Sequence, residues 1–218
     1  AGGRRPGDLE FAYHPEASGG EDRPLRGRML RLCGLPARYR FMDRKAGALQ
    51  DPAFLKISPF GEMPVLVDGD RAISNSPIIL KHLAAKTGRF GGENEAEREV
   101  IENWLYFDQH RILPSITMKR FLVRFEPDAA TPDVRAFLDR MGERAMGILE
   151  RQLDRTPYLA GEAPTIADIA CSAYLLLADE GDFDVGRWPP VAAWLERLQE
   201  LPGWTPSYDL IGTEDAVI

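Results

Sequence analysis

The residues able to do chemistry gather in one stretch, PFGEMPVLVDGDRAISNSPIILKHL, at positions 59–83. Pro64 stands where an apolar strand begins, and a missing ladder donor is tolerated there only at an edge or an entry. A proline at such a place, above all a cis one, turns the backbone so that Met63 presents its N–H and C=O to a ligand. Twelve residues on from Pro64, at Ser76, the run Asn75-Ser76-Pro77 sets an amide, a hydroxyl and free backbone N–H groups at a helix N-terminus. That end of a helix favours a carboxylate, because unmatched N–H groups and the macrodipole both point at it. Taken singly, these are a strand-entry proline and an ordinary serine cap. Together, on adjacent elements, they form an extended-backbone clamp beside an anion hole.

No Gly-rich phosphate loop, metal constellation or hydrolase triad competes, and His14, His82 and His110 are far apart in sequence. Cys33 and Cys171 each lie inside an apolar helical pattern. Two cysteines are too few for a disulfide framework and lack metal-ligand spacing, so they read as core thiols in a reducing compartment.

The elements that must position this stretch are short and alternate in type. LEFAY (9–13) alternates like a strand, RPLRGRMLRLCG (23–34) has a helical apolar stripe ending at Gly34, and ARYRFMD (37–43) alternates again. DPAFLKIS (51–58) makes a short capped helix. MPVLVDGD (63–70) and RAISNS (71–76) are strands joined by a tight turn at Asp68-Gly69. SPIILKHLAAKTG (76–88) opens as a helix with Ser76 at the cap and Pro77 in the first turn. The order β-α-β-α-β-β-α predicts a mixed four-stranded sheet, its first two strands parallel and its last two an antiparallel hairpin.

Beyond the joint at Phe90-Gly91-Gly92 the pattern becomes long and helical. Residues 93–125 read as one long helix kinked at Pro114, followed by helices over 131–155, 165–179 and 189–201 packing as a bundle. The spacing therefore predicts an α/β domain over 8–89 and an all-α domain over 93–210. At 218 residues with 44% hydrophobic content, both can bury a core. No apolar run approaches a membrane span, and no basic-then-apolar signal opens the chain. The net charge of −7 divides unevenly, with 15 Lys and Arg against 10 Asp and Glu in residues 1–90, and 12 against 24 thereafter. A basic first half suits a small anionic ligand. With no dense positive stripe and an acidic second half, nucleic acid is excluded as a partner.

The run PFGEMPVLVDGDRAISNSPIILKHLAAKTG resembles the thioredoxin-like domain of glutathione S-transferases, whose pattern is N-P-x-G-x-[VI]-P-x-L-x-D, then E-S, then a helix. A second marker is Thr165-Ile166-Ala167-Asp168, which is similar to the capping box on that family's central bundle helix. PYLAGEAP (157–164) precedes it and WPPVAAWL (188–195) follows it, and the similarity covers residues 9 to 205.

The resemblance implies a transferase that joins the thiolate of glutathione, its co-substrate, to a small hydrophobic electrophile in cytoplasmic detoxification, working as a homodimer with neither metal nor membrane. Met63 would pair through its backbone with the cysteinyl part of glutathione beside a cis bond to Pro64, and Ser76 would bind the γ-glutamyl carboxylate. Asn75 stands where the family has an acidic residue for the γ-glutamyl amine, so the charge pairing is given up. Glu62 occupies a place often basic or amide, leaving Lys56 as a substitute for the glycine carboxylate. The family activates the thiol with a residue just after the first strand. Here both Tyr13, which ends that strand, and Ser18, in the loop beyond, fit the role. An oxygen donor aimed at sulfur favours thiolate, the nucleophilic form. The loop has no cysteine, which disfavours thiol-disulfide chemistry, and its Glu16, Glu21 and Asp22 would oppose a thiolate unless turned to solvent. The co-substrate would lie against the first long helix, with Trp104, Tyr106, Phe107, His110 and Met118 as wall candidates. Of these, Trp104 reads as core, while Tyr106 and His110, one turn apart, read as pocket. Two alternatives stay open. One is a glutathione-binding or interaction module of the same fold without transferase activity. The other is a glutathione-dependent isomerase or dehalogenase.

Overall fold

The computed structural model describes residues 9–13, 23–43, 46–206 and 216–217. It divides into two compact units, Ala1–Thr87 with Pro202–Ile218, and Gly88–Leu201. In the first unit the order is β1 (Leu9–Tyr13), α1 (Arg23–Leu32), β2 (Arg38–Phe41), a 3-10 turn at Ala48–Gln50, α2 (Pro52–Leu55), β3 (Val65–Asp68), β4 (Arg71–Ser74) and α3 (Ser76–Thr87). β1 and β2 run parallel, β1 and β3 antiparallel, and β3 and β4 close the hairpin. This is the order and pairing expected from the sequence.

A fifth strand, β5 (Ala216–Val217), adds antiparallel to β2 and completes the order β4-β3-β1-β2-β5. Two residues are too few to carry an alternation, so β5 has no local signature. The chain approaching it is held on α1. The buried Arg28 guanidinium stacks 3.9 Å from the Trp204 ring centroid, and its Nε donates to the Thr205 carbonyl at 3.4 Å. Burial lowers the Arg28 pKa to about 9.

Strand alternation sorts the core. Val65 and Val67 pack with Ala12, Met42 and Phe54 on one face of the sheet. Leu66 points the other way and is fully buried. Each such Val or Leu contributes about 1.5–3 kcal/mol relative to an exposed one. The hairpin turn sits one residue later than expected. Asp68 pairs with Arg71, so the loop is Gly69-Asp70, with Gly69 supplying the positive φ of 60°.

The second unit contains α4 (Glu95–Phe107), α5 (Met118–Phe125), α6 (Pro132–Leu153), α7 (Ile166–Leu175) and α8 (Pro189–Gln199), with 3-10 turns at Ala178–Gly181 and Val185–Arg187. The kink expected at Pro114 is instead a π-helical stretch over Asp108–Thr117 that joins α4 to α5. Proline has no N–H and its ring crowds the carbonyl four residues back, and wider winding relieves both. The Ser115 hydroxyl donates to the Arg111 carbonyl, replacing part of the disturbed ladder. Trp104, expected in the core, is only half-buried and meets Phe107 edge-on at 5.1 Å.

The two buried cations of this unit are paired. Arg120 binds Glu180 at 2.6 Å, and Lys119 binds Asp139 at 2.7 Å and the Asp182 carbonyl at 2.8 Å. The close approach demands Gly181, where an added Cβ would stand 2.7 Å from the Arg120 Cα. Among the described residues, no helix is long and apolar enough to cross a membrane.

Candidate functional site

The site is assembled by strand register. Ala12 pairs with Val65, and Val65 pairs with Ser74. Tyr13, Pro64 and Asn75 are each one residue beyond these partners, so the ends of β1, β3 and β4 fall at the same edge of the sheet. The end of β1, the entry to β3 and the mouth of α3 therefore converge without any further fold.

The entry to β3 is fixed from two sides. Ser58 is fully buried, and its hydroxyl accepts from the Glu62 N–H at 3.1 Å while donating to the Glu62 carbonyl at 2.6 Å. This closes the loop leading to Met63. The Met63 side chain then packs against the Phe54 cluster, which anchors its main chain. The Met63-Pro64 peptide bond is cis. Among the described residues, no hydrogen bond closes on the Met63 N–H or C=O.

The mouth of α3 differs from expectation by one residue. The first intrahelical bond runs from the Ile79 N–H to the Asn75 carbonyl at 3.0 Å, so Asn75 caps the helix and Ser76 is its first residue. Only Asn75 separates β4 from α3, and it turns the chain with a φ of 75°. Asn tolerates this left-handed conformation better than most side chains, whereas a serine cap would sit in the β region. The N–H groups of Ser76 and Ile78 have no carbonyl within the helix to meet, and Pro77 has no N–H. Asn75 is exposed and Ser76 half-buried, and among the described residues nothing hydrogen-bonds to either side chain.

The remaining sequence candidates divide. Tyr13 ends β1 by its backbone, while its side chain lies outside the described part of the structure, as does all of Ser18 with the loop that holds it. Lys56 ends α2 and is exposed, and Glu62 is exposed on the closed loop. In the second unit Tyr106 and His110 are exposed, with ring centroids 6.3 Å apart, and Phe107 is half-buried against Trp104. His110 Nδ1 lies 2.9 Å from the Tyr106 carbonyl, so Nδ1 carries a proton and donates to it. Neither cysteine belongs to this edge. Cys171 is fully buried with its pKa pushed well up, first by burial and then by Asp108 and Asp168, while Cys33 lies half-buried beside Thr87 Oγ1.

Two features escaped the sequence reading. Ser58 stands where the family pattern has asparagine, and that departure was the available signal. The second is a cluster around Asp68, which accepts from His82 Nε2 at 2.8 Å and from Lys86 Nζ at 2.8 and 2.7 Å. Burial alone would raise the Asp68 pKa, but bonds and charges from Lys86 and His82 outweigh it and hold the carboxyl below its ordinary value.

Comparison with known proteins follows the same division. Residues 28–86 match the family model described as glutathione S-transferase, N-terminal domain, and residues 128–197 match the C-terminal domain of the same family. Glutathione S-transferase F14 of Arabidopsis thaliana is 32% identical over 78% of this chain and 72% of its own length. The disulfide-bond oxidoreductase YfcG of Escherichia coli strain K12 is 28% identical over 75% of this chain and 80% of its own. A solved glutathione S-transferase from Pseudomonas fluorescens Pf-5 superposes with a TM-score of 0.83 at 35% identity, covering 92% of this chain and 99% of that one. A second family member from that organism, solved with two glutathione bound, superposes at 0.78 with 25% identity over 92% of each chain. An α/β unit with an open clamp at one sheet edge, a helical unit with a capping box and these matches lead to one assignment: the chain belongs to the glutathione S-transferase family.

Proposed function

We propose that this chain binds glutathione at the sheet edge of its first unit and transfers the thiolate to a small hydrophobic electrophile. The observation that carries the reading is the register: Ala12, Val65 and Ser74 align, so three functional ends meet at one edge. There the open Met63 main chain pairs with the cysteinyl residue as a further strand would. The N–H groups of Ser76 and Ile78, with the Ser76 hydroxyl, receive the γ-glutamyl carboxylate. Asn75 accepts from the γ-glutamyl amine without a charge, and Lys56 meets the glycine carboxylate.

Binding in this way brings the cysteine sulfur towards the end of β1, where the hydroxyl of Tyr13 or Ser18 donates a hydrogen bond to it. The thiol proton leaves to solvent, and the thiolate attacks the electrophilic carbon. An S–C bond forms, and the leaving group departs with the electrons of its own bond. Stabilising thiolate by one pKa unit is worth about 1.4 kcal/mol. Tyr106, Phe107 and His110 serve the hydrophobic partner. Two free cysteines suit a cytoplasmic setting, and a symmetric homodimer is the assembly we assign.

The likeness to the E. coli oxidoreductase favours a second reading, in which the same thiolate attacks a disulfide sulfur and expels the other sulfur as thiolate. Immobilised glutathione, followed by parallel assays with a chloronitrobenzene and a dialkyl disulfide, separates them. Retention with conjugation supports the first reading, and retention with disulfide reduction alone supports the second. Retention without either makes the protein a carrier, and failure to bind overturns the assignment.

A further inference from the structure

We infer that Asp68 is a positioning residue for ligand capture, holding the mouth of α3 in place through His82 and Lys86. This rests on the glutathione reading above and concerns residues outside the contact set. β4 runs from the Asp68–Arg71 pair at the turn to Ser74 at the site edge, and α3 then returns alongside. Beyond the packing of its buried Ile79, Leu80, Leu83 and Ala84, the helix is held at two points. One is the single covalent residue Asn75 at its mouth, and the other is the Asp68 carboxylate, which grips His82 and Lys86. At about 1.5 Å per residue these lie roughly 9 and 15 Å down the helix from Ser76.

His82 and Lys86 are one turn apart and present two donors to one acceptor, so the grip sets both how far along the sheet the helix lies and how it is rotated. Those two quantities decide where the Ser76 hydroxyl and the first-turn N–H groups sit relative to Met63. The carboxylate is nearly out of water, with its side chain 11% exposed beside 17% for His82. Lys86 at 31% is nearer solvent, so screening is weakest at the His82 bond. A turn aspartate whose task was only to close the hairpin would need no partners on the following helix.

Calorimetric titration of reduced glutathione into the full chain tests this. Asp68→Ala is expected to weaken binding roughly tenfold, and His82→Ala to weaken it less. His82→Gln, whose amide Nε2 can donate from the same place, retains wild-type affinity. In a Ser76→Ala background, the loss on Asp68→Ala is smaller than in wild type, because part of it acts through the Ser76 hydroxyl. The inference is overturned if Asp68→Ala binds as wild type does, or if its effect is undiminished in the Ser76→Ala background. Should Asp68→Ala fail to fold, the His82→Ala and His82→Gln pair decides by the same criteria: equal affinities overturn the inference. A wild-type chain that does not bind glutathione would sink the functional reading instead.

Discussion

The two helices that carry the family markers, α3 and α7, begin in opposite ways. At α7 the chain satisfies itself. The Thr165 hydroxyl accepts from the Ala167 N–H at 3.3 Å. The Asp168 carboxylate takes the N–H groups of Leu159 and Thr165, the Thr165 hydroxyl and Trp194 Nε1, all within 3.0 Å. Burial drives the Asp168 pKa upward against these four bonds, and the site lies wholly inside its unit. At α3 the corresponding N–H groups face no side chain of the described residues. The third helical residue makes the difference, being Asp168 in one helix and Ile78, 53% exposed, in the other. A carboxylate at that position closes a helix mouth, and an apolar side chain leaves it for a carboxylate that arrives from outside. One mouth contributes stability, and the other is the one we propose as a binding site.

The largest expected effect comes from breaking the closed mouth. Asp168→Ala removes the acceptor from four buried donors and should lower unfolding free energy by about 3–5 kcal/mol in urea titration, at the upper end for a single substitution. A loss below 1 kcal/mol would mean that water replaces the carboxylate there.

Closing the open mouth is the reciprocal experiment. Ile78→Asp places a carboxylate where α7 has one, and should weaken glutathione binding roughly tenfold by occupying and repelling at the same N–H groups. The same change should raise stability by about 0.5 kcal/mol, so affinity and stability move in opposite directions.

A smaller gain should follow from restoring the missing charge. Asn75→Asp keeps a residue type that tolerates the left-handed turn and adds a charge-assisted bond to the ligand amine, tightening the Kd by roughly threefold.

The smallest effect is in pH. The Asp68 carboxyl is held below its ordinary value, so the folded state favours its ionised form. Its stabilising contribution is complete above the unfolded-state carboxylate range and is lost as pH falls through the depressed folded value. Asp68→Asn should therefore be less stable than wild type at neutral pH, with the gap narrowing on acidification below that range in denaturant titrations.

The same contrast explains what could be read from the sequence. Local patterns carried the α7 mouth, because Thr165 and Asp168 are three residues apart and their reciprocal bonds need only a helix. Strand alternation likewise carried β1 and β2, and the turn at Asp68-Gly69 carried β3 and β4, and hence the edge at which Tyr13, Pro64 and Asn75 meet. The α3 mouth reads one residue late in the sequence because serine and asparagine cap about equally well and Pro77 favours the place just after a cap, whereas a one-residue connection from β4 demands a left-handed residue that Asn75 supplies. The Asp68 cluster spans 14 and 18 residues and exists only once α3 folds back on the hairpin, so Asp68 read as a turn residue. The π-helical winding around Pro114 and the two-residue β5 have no local period to betray them.

We propose that Met63 and the Ser76 helix mouth hold the two ends of one tripeptide. Backbone amide NMR during titration with reduced glutathione tests it most directly. Saturable shifts are expected at Met63, Ser76 and Ile78 with a common Kd, and little change at Ile166 or Ala167 in the closed mouth. Saturable binding that leaves Met63 and Ser76 unshifted while perturbing residues elsewhere would contradict it.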